Sequence, residues 1–254
     1  MRRSLLLAFI SSLAVASVAL AATDGDASRS TLGQAVYRTS HASSLRYTMV
    51  IAMTRAHQPA MQLHIHGTRT TGSLFIHVKA FSTVLAGGVA VPGPQQSALL
   101  DGPFLYEGSP NGVAVQGAVR WVRIPVARIG TSAPEISAIH SLSPAPLLRV
   151  LDEWTRVRKR AAAGVFHGTV AYDDPVVLTA LSGMAGGTEF RDVAFGARIG
   201  GDGYVQSITV TGRTADGSRT LRVTVTMYAF GRPVTVSIPG EGTFMDQKLL
   251  DLAE

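Results

Sequence analysis

Three histidines stand where they could do metal chemistry. His64 and His66, in "HIH", are two residues apart, and on a β-strand that spacing turns both imidazoles to one face. His77, in a neighbouring alternating run, falls on the corresponding face and could supply a third ligand. Zinc usually takes three or four ligands, however, and no Asp or Glu occurs between residues 27 and 100. The preferred reading is three half-exposed polar residues on the solvent side of a sheet, with no metal.

Other chemistry finds less support. The chain contains 0 Cys, which removes thiolate nucleophiles, thiolate metal ligands and disulfides. It has no Gly-x-Ser-x-Gly, no Ser-x-x-Lys with its companions and no His-Glu-x-x-His. Asp173 and Asp174 are consecutive, so on a strand they point apart, and "YDDP" reads as a turn capping a helix. "GMAGGTEF" lacks the lysine of a phosphate loop and leads into a strand. Arg156, Arg158, Lys159 and Arg160 could make a transient contact with anionic lipid headgroups, or form a solvated helix end. No catalytic residue and no cofactor is expected, and the chain does not read as an enzyme.

The elements that would position these residues follow from periodicity. Residues 31–43 suit an amphipathic helix, with Leu32, Ala35 and Val36 on one stripe. From Leu45 the period becomes two. "LRYTMVIAM", "MQLHIHG" and "GSLFIHVKA" alternate apolar with polar residues and are separated by short turns, which predicts an antiparallel meander. Residues 87–103 carry four glycines and three prolines and are expected to form a loop, a mobile rim. "FLYEG" and "GAVRWVRIPV" read as strands, and residues 128–143 as irregular. Ser143 and Pro144 then open a helix expected to run from Ala145 to Arg160, with Leu147, Leu148, Leu151 and Trp154 at helical spacing.

The last third reads "GVFHGTVAYDDP" as a strand, Pro175–Gly186 as a short helix, then "TEFRDVAFGARI", "YVQSITVTGRT", "RTLRVTVTMYAF" and "RPVTVSI" as strands. Asp-Gly turns join several of them, the strongest local hairpin signal. Val234, Val236 and Ile238 would place the last strand's apolar side towards helices and a cavity.

Composition bounds the class. The 254 residues are 46% hydrophobic and 16% charged, too apolar for disorder. Arg2 and Arg3, an apolar stretch and Ala19-Leu20-Ala21 make residues 1–21 a secretory signal peptide. Retained, the same segment could nearly span a bilayer as an anchor; cleavage is expected. A flexible leader, 22–30, and a single domain, 31–254, follow. The formal charge of +6 falls to +4 without the two arginines, too little and too scattered for nucleic acid.

The fold class is α+β: a large antiparallel sheet with a few helices on one face. Few and short helices cannot easily cover so long an apolar face, and a curved sheet partly filled by helices leaves room for an apolar ligand. The candidate lining is Met49, Ile51, Leu63, Ile65, Leu74, Ile76, Leu147, Leu151, Leu221, Val223, Val225 and Met227.

The order of "SSLRYTMVIAM", "GSLFIHVKA", "FLYEGSPNGVAVQGAVRWVRIPV", "SPAPLLRVLDEW", "GVFHGTVAYDD", "GGDGYVQSITV" and "YAFGRPVTVSIP" resembles the LppX/LprG-like lipoprotein family, actinobacterial members of the LolA-like half-barrel superfamily. "WVRI", "HGTVAY" and "FGRPVTVSIP" are the most distinctive stretches. The resemblance spans residues 31–239. It implies a curved open half-barrel with helices on its concave face, an apolar cavity for lipid or an acylated ligand, and an extracytoplasmic location in the cell envelope. It implies no catalytic residues. The family's lipid-anchoring cysteine is missing from "ALAATD", so a soluble secreted variant, a monomer, is expected. The alternative is a sensor or interaction module of the same fold, regulating a membrane partner without cargo.

Overall fold

The computed structural model describes residues 31–55, 60–83, 90–108, 121–132, 134–152, 157–159, 164–170, 181, 190, 192–240 and 244–246. The strands are β1 (Ser44–Arg55), β2 (Met61–Thr70), β3 (Ser73–Thr83), β4 (Ala90–Asp101), β5 (Phe104–Gly108) and β6 (Trp121–Pro125), then β7 (Val157–Lys159), β8 (Val165–Val170), β9 (Asp192–Ile199), β10 (Val205–Arg213), β11 (Arg219–Tyr228) and β12 (Phe244–Asp246). They form one 12-stranded open sheet in the order β12-β6-β5-β4-β3-β2-β1-β11-β10-β9-β8-β7. Neighbours are antiparallel except β12 and β6, which run parallel. Helices are α1 (31–40), α2 (Val126–Ile129), α3 (Pro134–Ser141) and α4 (Ala145–Asp152). This is the expected α+β class, a large antiparallel sheet with a few helices.

Register explains how the sheet buries one side. Tyr47 lies opposite Met227 and Gly67, Met49 opposite Val225 and Ile65, and Ile51 opposite Val223 and Leu63. Directly opposed residues share a face, so the apolar rows line up across β11, β1 and β2. Leu32, Ala35 and Val36 of α1 and Leu147, Leu148, Val150 and Leu151 of α4 join those rows in one buried cluster. The alternate rows, Thr226–Thr48–His66 and Thr224–Val50–His64, face away from the helices. The Asp216-Gly217 turn joins β10 to β11 as its sequence predicts, with Gly217 at φ 68°, where a side chain would be strained.

Five expectations are corrected. Most of the expected loop 87–103 is strand: β4, Ala90–Asp101, pairs with β3, and a register shift between Lys79 and Phe81 absorbs Gly93 and Pro94, while 87–89 lie outside the described residues. Among the described residues the proline-bearing half of β4 has no second partner, since β5 pairs with Ser97–Asp101 alone. Residues 128–143 contain α3 and the end of α2 rather than irregular chain. Helix α4 is described over Ala145–Asp152, and the expected helix does not reach Arg160, because Arg158 and Lys159 belong to the edge strand β7; residues 153–156 and Arg160 lie outside the described residues.

Helix α1 ends at residue 40, three short of the predicted 43. Finally, residues 233–240 join no ladder, and Ile238 is 51% exposed while Val234 and Val236 are half-buried. The physical reason is that β1 and β10 already occupy both sides of β11, so a returning strand has no free neighbour there. Instead Ala229 (φ 56°) and Gly231 (φ 64°) turn the chain aside, and the Gly231 N–H donates to the Ser44 carbonyl at 2.9 Å. The expected helix Pro175–Gly186 lies outside the described residues, apart from a buried Leu181.

Candidate functional site

The helix-facing side of the sheet holds all the predicted strand lining residues. Met49, Ile51, Ile65, Leu74, Ile76, Leu147, Leu151, Leu221, Val223, Val225 and Met227 are each at most 6% exposed and belong to one cluster, with Leu63 packed partly buried against it. At its centre Tyr47 is fully buried, and its hydroxyl donates to the Leu142 carbonyl at 3.0 Å, tying β1 to the α3–α4 link. Burial pushes the Tyr47 phenol well above its ordinary pKa, against a smaller opposing pull from Arg69. Thr39 ties α1 down: its hydroxyl donates to Ala35 at 2.7 Å and accepts from the Val205 N–H at 2.8 Å.

The apolar face outruns its cover at one end. Going from β11 outward, burial loosens from Val223 and Ile51 to the partly buried Leu63, and Met53 and Val78 are likewise only partly buried. Met61, on the same face opposite Met53, is 58% exposed. These four side chains make an apolar lip continuous with the core. Farther along the face, Glu107 lies in the row of Ala98 and Val122, and burial, then Glu135, raises its carboxyl above the usual range.

Two grooves are lined by other residues. One, of about 730 Å³, runs beside α1 and is bordered by Tyr37, Arg38, His41 and Tyr204. The other, of about 420 Å³, lies over Gly196 between His167, Arg198, Ser207, Thr209 and Thr211.

The histidines are placed as their spacing predicts: His66 sits directly opposite His77, and His64 opposite Lys79. Their neighbours are hydrogen-bonding rather than metal-ligating. His77 Nδ1 pairs with Ser97 Oγ at 2.8 Å, and His64 Nε2 with Gln62 Oε1 at 3.2 Å. Among the described residues no three His, Asp or Glu side chains gather where they could hold a metal ion. Burial first, then Lys79 and His66, lowers the His77 pKa below 6.5.

Sequence reasoning missed the pairing of Tyr47 with Gly67, although a glycine inside an alternating strand signals a close approach. It also missed that Leu99 and Tyr106, 0% and 5% exposed, are buried on the face opposite the main cluster. Among the described residues no helix is long and apolar enough to cross a membrane.

No family model matches the chain, and no curated protein matches it. Solved structures give weak likenesses. A LolA superfamily protein from Nitrosomonas europaea aligns over 82% of this chain and 94% of its own at 8% identity, with a TM-score of 0.25. A porin-like protein from Bacteroides uniformis aligns over 75% and 97% at 9% identity and TM-score 0.24. A DUF1329 family protein from Desulfovibrio piger aligns over 81% and 92% at 6% identity and TM-score 0.22. Superpositions this loose carry no functional argument.

Proposed function

We propose that this is an extracytoplasmic lipid-binding or lipid-transfer protein of the LppX/LprG-like kind, secreted by cleavage of residues 1–21 and working as a monomer. The observation that carries the reading is the apolar lip of Met53, Met61, Leu63 and Val78, where the buried face of the sheet continues into solvent. An acyl chain laid there and drawn between sheet and helices gains about 25 cal/mol per Å² of apolar surface removed from water. The twelve candidate lining residues are the side chains it would meet as the helices part from the sheet. The non-enzymatic resemblance and the absence of a nucleophile motif support binding without chemistry.

The test is uptake of a fluorescent fatty-acyl probe by protein stripped of bound lipid. Saturable uptake that falls on Leu63→Glu, in a protein that still folds, supports carriage. No uptake by the native chain contradicts it.

One observation favours the second reading, a sensor or interaction module without cargo. Eleven of the twelve residues are at most 6% exposed and line neither groove described above. That reading predicts a stable protein complex and no probe uptake.

A further inference from the structure

The five neighbouring strands β3-β2-β1-β11-β10 contain no Asp or Glu on either face. On the face turned away from the helices they carry Arg46, Lys79, Arg213 and Arg222, and Arg198 of β9 continues the set. Arg46, Arg198, Arg213 and Arg222 are exposed. Between them stand mainly hydroxyl and imidazole side chains: Thr48, Thr224, Thr226, Thr209, His66. Two described carboxylates stand at the margins of this face in register, Asp192 of β9 opposite Arg213 and Asp101 of β4 opposite Ser73, while Glu107 shares the helix-bearing face, where Glu135 of α3 helps raise its pKa. Asp202 and Asp216 sit in turns at the ends of β10.

The geometry points to the face turned away from α1 and α4 as a docking surface for an anionic lipid bilayer. Three features select that partner. First, the cations are spread singly over several strands and rows rather than strung along a channel. With strands about 4.8 Å apart and ten residues spanning about 33 Å, they meet a plane of distributed negative charge better than a narrow polymer. Second, the large apolar side chains on this face are few, Val50, Phe75 and the 45% exposed Tyr228 opposite Arg46, so contact stays mainly at headgroup depth. Third, the groove over Gly196 opens on this face, because glycine leaves no side chain there, and His167, Arg198, Ser207, Thr209 and Thr211 surround it with donors suited to one phosphate group.

The inference stands whether or not the protein carries lipid. Carriage concerns the opposite face, so the two can fail separately.

The experiment is co-sedimentation of the full chain, after signal removal, with vesicles of mixed phosphatidylglycerol and phosphatidylcholine, against vesicles of phosphatidylcholine alone. Binding to the anionic vesicles at low salt, lost at high salt, is expected. Removing two face cations, Arg198→Gln with Arg222→Gln, should weaken it about twenty-five-fold, at about fivefold per charge near the surface. Arg38→Gln with Arg128→Gln removes the same charge from α1 and α2 and should weaken it far less. Equal binding to neutral vesicles, equal loss in the two double variants, or no anionic binding overturns the proposal. So does saturable binding of inorganic phosphate or of an acidic polypeptide by a chain that ignores vesicles. Acyl-probe uptake measured on the same variants should not change.

Discussion

The ring of Tyr47 fills the space that a side chain at Gly67 would need: a Cβ built on Gly67 overlaps the tyrosine ring and hydroxyl. The two residues are register partners on β1 and β2, so the absence of one side chain makes room for the other. Gly67→Ala should therefore destabilise by about 1–3 kcal/mol or more through overpacking. Tyr47→Phe keeps the ring but leaves the Leu142 carbonyl without its donor, at about 1–3 kcal/mol. Chemical denaturation checks both, and an unchanged midpoint in Gly67→Ala would contradict the close approach.

Thr39→Val should cost about 1–3 kcal/mol although it conserves shape, because the Val205 N–H loses its acceptor in a buried place. Thr39→Ser, which keeps the hydroxyl, should recover most of the loss. Urea midpoints for the pair separate the hydrogen bond from packing.

How much of this was legible beforehand depends on what each stretch had to do. The rows through Met49, Ile51, Ile65 and Val223 announced themselves by strict alternation, because one face is buried and the other wet. β4 did not, since Pro92 and Pro94 are turn residues nearly everywhere except at a strand edge or beside a bulge such as the register shift against β3. "PVTVSI" alternates as well as any strand, yet pairs with nothing, because pairing needs a free neighbour and pattern cannot report that β11 is already flanked. Arg158 and Lys159 followed a helical stripe in sequence and turned out to sit on an edge strand. The lip at Met61 and the run of five neighbouring strands without Asp or Glu were equally hidden, being properties of which strands became neighbours.

His77 should make stability fall with acid. Its folded pKa is depressed, so the native state favours the neutral ring, and its contribution is present above 6.5 and lost as pH falls through the folded value. Denaturation midpoints measured well above and well below that pH should differ less in His77→Gln than in the native chain. An identical acid loss in the variant would assign it to other groups.

Met61→Glu should slow acyl-probe uptake while leaving the denaturation midpoint nearly unchanged, since Met61 is 58% exposed and contributes little to the core. A large fall in stability would place Met61 in packing rather than at an entrance.

The central claim is that the helix-bearing face takes up lipid. It is tested most directly by secreting the chain from an actinobacterial host, purifying it without detergent and recording native mass spectra before and after organic extraction. The account predicts a reproducible excess mass that disappears on extraction and is recovered as lipid. A bare polypeptide under the same gentle conditions would contradict it.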